Sequence, residues 1–127
     1  MMREAKHPRK ILLVDDSETI LTLEWMILKN AYEVMTAKDG IEGVAQALAL
    51  QPDLILLDVM MPNMNGFEAL RELRRRPATR AIPVLMVTTT GEEESMETAF
   101  ACGCNDYIMK PIDGQELLTK VRSFLPV

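Results

Sequence analysis

Five polar residues stand where short apolar runs end. Asp15 and Asp16 follow Ile11-Leu12-Leu13-Val14, Asp58 follows Leu54-Ile55-Leu56-Leu57, Thr88 follows Val84-Leu85-Met86-Val87, and Lys110 follows Tyr107-Ile108-Met109. If a fold gathers them, three carboxylates share one cleft and repel each other. Such a cluster calls for a hard cation with oxygen ligands, and magnesium suits it. A carboxylate beside that ion can attack phosphorus, while an amine and a hydroxyl neutralise and hydrogen-bond the transferred oxygens. The parts for an acyl phosphate on Asp58 are therefore present.

The elements that must position these residues show in the period of the apolar side chains. Short buried strands are predicted at the runs ending in Val14, Leu57 and Val87, with weaker ones at Tyr32 to Ala37 and Tyr107 to Met109. Between them Ile20, Leu23 and Ile27 recur at helical spacing, then Ile41, Val44 and Leu48, then Phe67 and Leu70, then Met96, Ala99 and Phe100, and finally Leu117, Val121 and Phe124. Ser17 or Asp16, Asp39, Asn65 and Asp113 stand where a side-chain oxygen caps a helix start. Glu92, Glu93 and Glu94 open the fourth helix and Arg71 to Arg76 close the third, with the signs the helix dipole favours. Strand and helix thus alternate five times. That pattern predicts an α/β fold, a parallel sheet covered on both faces, whose ligands bind beyond the carboxyl ends of the strands.

The 127 residues, 48% hydrophobic and 26% charged, suffice for one domain, read as residues 10–127 after a polar tail, residues 1–9. A net charge of -5 gives no general attraction to nucleic acid or anionic membranes, so direct nucleic-acid and membrane partners are not expected. No apolar run reaches the roughly 20 residues of a membrane span and the opening residues lack a signal-peptide core, so a cytoplasmic location is expected. Cys102, Cys104 and the only histidine, His7, make no zinc-type ligand set; the thiols read as buried or half-buried packing.

Four segments together resemble the response-regulator receiver family, over about Lys10 to Leu125. They are Ile11 to Ser17 with its paired Asp, Asp58-Val59-Met60-Met61-Pro62-Asn63-Met64-Asn65-Gly66, Val84 to Thr88, and Tyr107-Ile108-Met109-Lys110-Pro111. The resemblance implies a flavodoxin-like, doubly wound five-stranded parallel sheet with five helices, in the order 2-1-3-4-5 that is known from this family. It also implies Asp58 as phosphoacceptor in two-component signalling, with Asp15, Asp16, Asp58 and the backbone carbonyl of Met60 around Mg2+. Thr88 and Lys110 would contact the phosphoryl oxygens, and Lys110-Pro111 would be a cis bond. The donor would be a phosphohistidine on a sensor histidine kinase or histidine phosphotransfer protein. Thr88 and Tyr107 would relay phosphorylation to the face of the fourth helix, fifth strand and fifth helix. An output protein that the sequence does not name, or a second copy of the domain, would read that face. Met60 and Thr90 occupy the family positions at the mouth of the site that govern water access. The chain would assist its own phosphorylation and dephosphorylation without being a turnover enzyme.

Simpler roles remain open for each residue: Asp15, Asp16 and Asp58 as caps, Thr88 as a β-branched strand residue, Lys110 as a solvated charge, Tyr107 as an aromatic strand residue. Pro62 stiffens its loop, and Gly66 allows a close backbone approach or an unusual dihedral. Thr89 stands where the family commonly has a smaller residue and Ile112 where an aromatic is common; neither removes a reacting group. Three rival functions are distinguishable. A small Asp-dependent phosphatase typically carries Asp-x-Asp after its first strand, whereas here the two Asp are adjacent. A nucleotide-binding module lacks its glycine-rich run. An interaction module with an inert cleft would gain no phosphoryl group.

Overall fold

The computed structural model describes residues 8–89 and 93–127. His7, the tail before Pro8, Thr90 and Glu92 lie outside the described residues, as do the side chains of Glu93, Glu94 and Met96. In chain order the elements are β1 Lys10–Val14, α1 Glu18–Leu28, β2 Glu33–Ala37, α2 Gly40–Leu50, β3 Leu54–Asp58, α3 Gly66–Arg75, β4 Val84–Thr89, α4 Glu93–Ala101, β5 Asp106–Lys110 and α5 Gly114–Phe124. The five strands form one all-parallel sheet in the order β2-β1-β3-β4-β5. The predicted fold class and order hold. β2 starts one residue later than predicted and β5 gains a residue at each end, because pairing with β1 and β4 defines those edges more sharply than their mixed polarity.

Alternation along the central strands builds two cores. Leu12 and Val14 of β1 pack with Ile55 and Leu57 of β3 beneath α2 and α3, while Ile11 and Leu13 pack with Leu54 and Leu56 against α1 and α5. Strands buried on both faces need no polar side, which is why their sequences are continuous apolar runs. Ser17, Asp39, Asn65 and Asp113 are the N-caps of α1, α2, α3 and α5, and Asn65 with Glu68 forms a complete capping box. Ser17, not Asp16, caps α1, and Asp16 is exposed just beyond the carboxyl end of β1.

Two elements pack differently from what their period suggests. α1 buries Leu21, Glu24 and Leu28 and leaves Leu23, Trp25 and Met26 exposed. Arg74, in the basic run closing α3, has a tertiary role: its guanidinium donates to the carbonyls of Gly103, Arg80 and Ile82 and to Asn105 Oδ1, at 2.8–3.1 Å. Arg75 and Arg76 instead pair with Glu72 at the surface. Cys104 is buried and Cys102 half-buried, in keeping with packing roles. Burial pushes the Cys104 thiol up to about 11. Among the described residues, no helix is long and apolar enough to cross a membrane.

Candidate functional site

The carboxyl ends of β1, β3 and β5 meet where the chain leaves the sheet in opposite directions from β1 and β3, the place at which parallel α/β sheets bind ligands. Oxygens of Asp15, Asp16 and Asp58 lie there within 4.8 Å of one another. Asp15 and Asp58 are buried, at 1% and 4% exposure, whereas Asp16 faces solvent. Lys110 reaches in from the end of β5, with Nζ 3.1 Å from Asp58 Oδ1 and 3.4 Å from Asp15 Oδ2. The Lys110-Pro111 bond is cis, as the resemblance implies.

Charge does not balance in this cleft. Asp15 Oδ1 accepts from the Ser17 amide at 2.9 Å, but Asp15 Oδ2 is buried and, among the described residues, has no hydrogen-bond partner. The Lys110 contact at 3.4 Å offsets its charge without supplying a well-formed bond. Burial, and then the charge of Asp15, push the Asp58 carboxyl up to about 6 against the opposing pull of Lys110. Burial works against the Lys110 ammonium, but Asp58 and then Asp15 outweigh it and hold its pKa above the ordinary amine value. A buried oxygen with no donor, beside two more carboxylates, fits a divalent cation with oxygen ligands.

The loop after Asp58 is shaped to support this arrangement. A Cβ on Gly66 would run into the Asp58 carbonyl and come within 2.9 Å of Val59 Cα, while the Gly66 amide donates to the Val59 carbonyl at 2.8 Å. Gly66 therefore serves close backbone approach, since its φ is not positive. Asn63 adopts a left-handed φ of 68° and donates to Asp39 Oδ2 at 3.0 Å, which ties the loop to the start of α2. Met60 projects outward at 74% exposure.

Thr88 is buried at the end of β4, with its hydroxyl directed at the Thr89 carbonyl at a long 3.4 Å. Tyr107 is half-buried on β5 opposite Met86. One acidic residue of this region escapes a reading by motif. Glu24, on the sheet-facing side of α1, is 1% exposed, and burial first, then Asp15, push its carboxyl up to about 8, with Lys110 opposing. Its signal in the sequence is the i, i+3, i+7 spacing of Leu21, Glu24 and Leu28, which places a glutamate in an otherwise apolar stripe.

The family described as response regulator receiver domain matches residues 11–122. Protein PilH of Pseudomonas aeruginosa is 40% identical over 117 residues, which cover 91% of this chain and 97% of PilH. The DNA-binding dual master transcriptional regulator RpaA of Synechocystis is 44% identical over 91% of this chain, but the match spans only 48% of RpaA. In three dimensions the chemotaxis protein CheY4 of Vibrio cholerae superposes with a TM-score of 0.87 at 35% identity, over 93% of this chain and 99% of CheY4. A phosphoacceptor role in two-component signalling is general for the family. By sequence and by fold, then, this chain belongs to the response-regulator receiver domains.

Proposed function

We propose that Asp58 is the phosphoacceptor of this receiver domain, taken as residues 10–127 with residues 1–9 as a preceding tail. The observation that carries the reading is a buried Asp58 carboxylate, 3.1 Å from Lys110, in a cluster of three acidic side chains whose Asp15 Oδ2 has no donor among the described residues. An Asp58 oxygen attacks the phosphorus of a phosphohistidine on a histidine kinase or phosphotransfer protein. The N–P bond breaks, its electron pair stays on the imidazole nitrogen, which then takes a proton, and an acyl phosphate remains. The Lys110 ammonium neutralises one phosphoryl oxygen, and the Thr88 hydroxyl donates to another. Mg2+ would be held by Asp15, Asp16, Asp58 and the Met60 carbonyl, and its charge would offset the carboxylates and the incoming oxygens.

Drawing Thr88 toward that oxygen opens space beside it, into which Tyr107 turns, and the face of α4, β5 and α5 changes shape and polarity. A second copy of the domain or an output protein reads that face. A phosphorylated protein that slowly hydrolyses its own acyl phosphate is a signalling device and not a turnover enzyme, and it works in the cytoplasm beside its kinase. The test is intact mass after incubation with acetyl phosphate and magnesium. The wild type gains roughly 80 Da, the mass of one phosphoryl group, and Asp58→Asn gains nothing. Equal labelling of the variant would remove Asp58 from the role.

A further inference from the structure

The Tyr107 ring is flanked on two sides. From α4, Phe100 meets it edge to face, with centroids 5.9 Å apart and planes at 85°. From α5, the Lys120 ammonium lies 4.8 Å from the ring centroid and donates to the Tyr107 backbone carbonyl at 2.6 Å. The same ammonium is 3.5 Å from Asp106 Oδ1 and 3.8 Å from Glu116 Oε2, and its side chain is only 25% exposed. One cation therefore contacts the backbone, the ring and two carboxylates around a single strand residue. The carboxylates and the carbonyl fix where the ammonium sits, and the ammonium then attracts the ring's negative face.

We propose that Lys120 is a positioning residue for Tyr107: its ammonium holds the aromatic ring in the place seen here, and so sets how readily the α4, β5 and α5 face responds to a phosphoryl group on Asp58. The inference rests on the Thr88 and Tyr107 relay proposed above. A ring that turns toward Thr88 leaves both the Lys120 ammonium and the Phe100 edge. The stronger that hold, the smaller the fraction of molecules in the responding state, and the weaker the apparent binding of anything that needs it. Glu116 is the farther of the two carboxylates, at 3.8 Å, so on its loss the Tyr107 carbonyl at 2.6 Å and Asp106 at 3.5 Å still fix the ammonium.

The experiment compares wild type, Lys120→Met, Lys120→Arg and Glu116→Gln by NMR. Tyr107 ring signals are first recorded in the free protein, then during titration with beryllofluoride and magnesium as a phosphoryl mimic. Lys120→Met is expected to shift the Tyr107 ring signals before any titration and to lower the half-saturating beryllofluoride concentration about five- to tenfold. Lys120→Arg, which keeps a cation and donors, is expected to stay within about twofold of wild type, as is Glu116→Gln. A merely structural Lys120 would lower thermal stability and leave the half-saturation unchanged. Ring signals in Lys120→Met that match wild type overturn the hold, and an equal or weaker half-saturation overturns its coupling to the site. If beryllofluoride moves no signal in any variant, the phosphoacceptor reading fails, and the ring signals of the free protein still decide whether Lys120 holds Tyr107.

Discussion

Lys110 Nζ stands 3.1 Å from Asp58 Oδ1, so the proposed acceptor is already engaged by the ammonium that would later face its phosphoryl group. That ammonium does not neutralise the cluster, and Asp58 is still pushed up to about 6. In the metal-free protein Asp58 is thus largely ionised at neutral pH and becomes protonated below about 6. Magnesium held as proposed would then displace a proton to bind at low pH. Calorimetry is expected to show affinity nearly constant above about pH 7 and falling by up to about tenfold per unit below about pH 6. Asp16→Ala removes the exposed ligand and should weaken binding at every pH. Unaltered affinity in that variant would contradict a shared site.

Gly66 is the residue whose side-chain hydrogen leaves room for the Asp58 carbonyl. Gly66→Ala forces the loop or the end of β3 to move, a clash whose cost is on the order of 1–3 kcal/mol. Urea denaturation should show that loss, and labelling by acetyl phosphate should slow because Asp58 moves with its carbonyl. A variant as stable and as readily labelled as wild type would show that the loop yields freely.

Glu24 ties stability to pH. Its carboxyl sits near 4.5 when exposed and about 8 in the fold, so the folded state binds the extra proton between those values. Folding is therefore unpenalised by Glu24 below about pH 4.5, loses stability as pH rises from there, and carries the full penalty above about pH 8, on the order of a few kcal/mol. Asp58 adds a similar loss only up to about pH 6. Denaturation in chelator between about pH 6 and 8 isolates Glu24: wild type should weaken across that range, and Glu24→Leu should stay nearly flat and be more stable at the upper end. Parallel profiles would mean that Glu24 is solvated in the native state.

Met60 is apolar, 74% exposed and two residues beyond Asp58. It offers no strong hydrogen bond to orient an attacking water, so the acyl phosphate is expected to be long-lived. Met60→Asn or Met60→Lys should shorten the half-life of the labelled protein several-fold, followed by intact mass after removal of acetyl phosphate. A constant half-life across the three proteins would exclude control from this position.

The sequence by itself determined the succession of strands and helices along the chain, most sharply for β1, β3 and β4, because a strand buried on both faces must be a continuous apolar run and a helix start must find an oxygen for its free amides. The proposed site residues Asp15, Asp16, Asp58 and Lys110 were legible by position, since each stands directly after or at the end of a strand, although the strand before Lys110 is of mixed polarity. Tertiary structure alone decided which side of α1 faces the sheet. Apolar residues surround that helix, so period fixes spacing but not phase, and the packed face proved to be Leu21, Glu24 and Leu28 while Leu23, at helical spacing from Ile20 and Ile27, is exposed. Only the fold joins Arg74 to Gly103 and Asn105, or Lys120 to Tyr107, because those partners are 13 to 31 residues apart and meet through sheet order. The buried Asp15 oxygen, without a donor among the described residues, is likewise a property of the assembled cleft, since the segment that carries it would by itself leave it solvated.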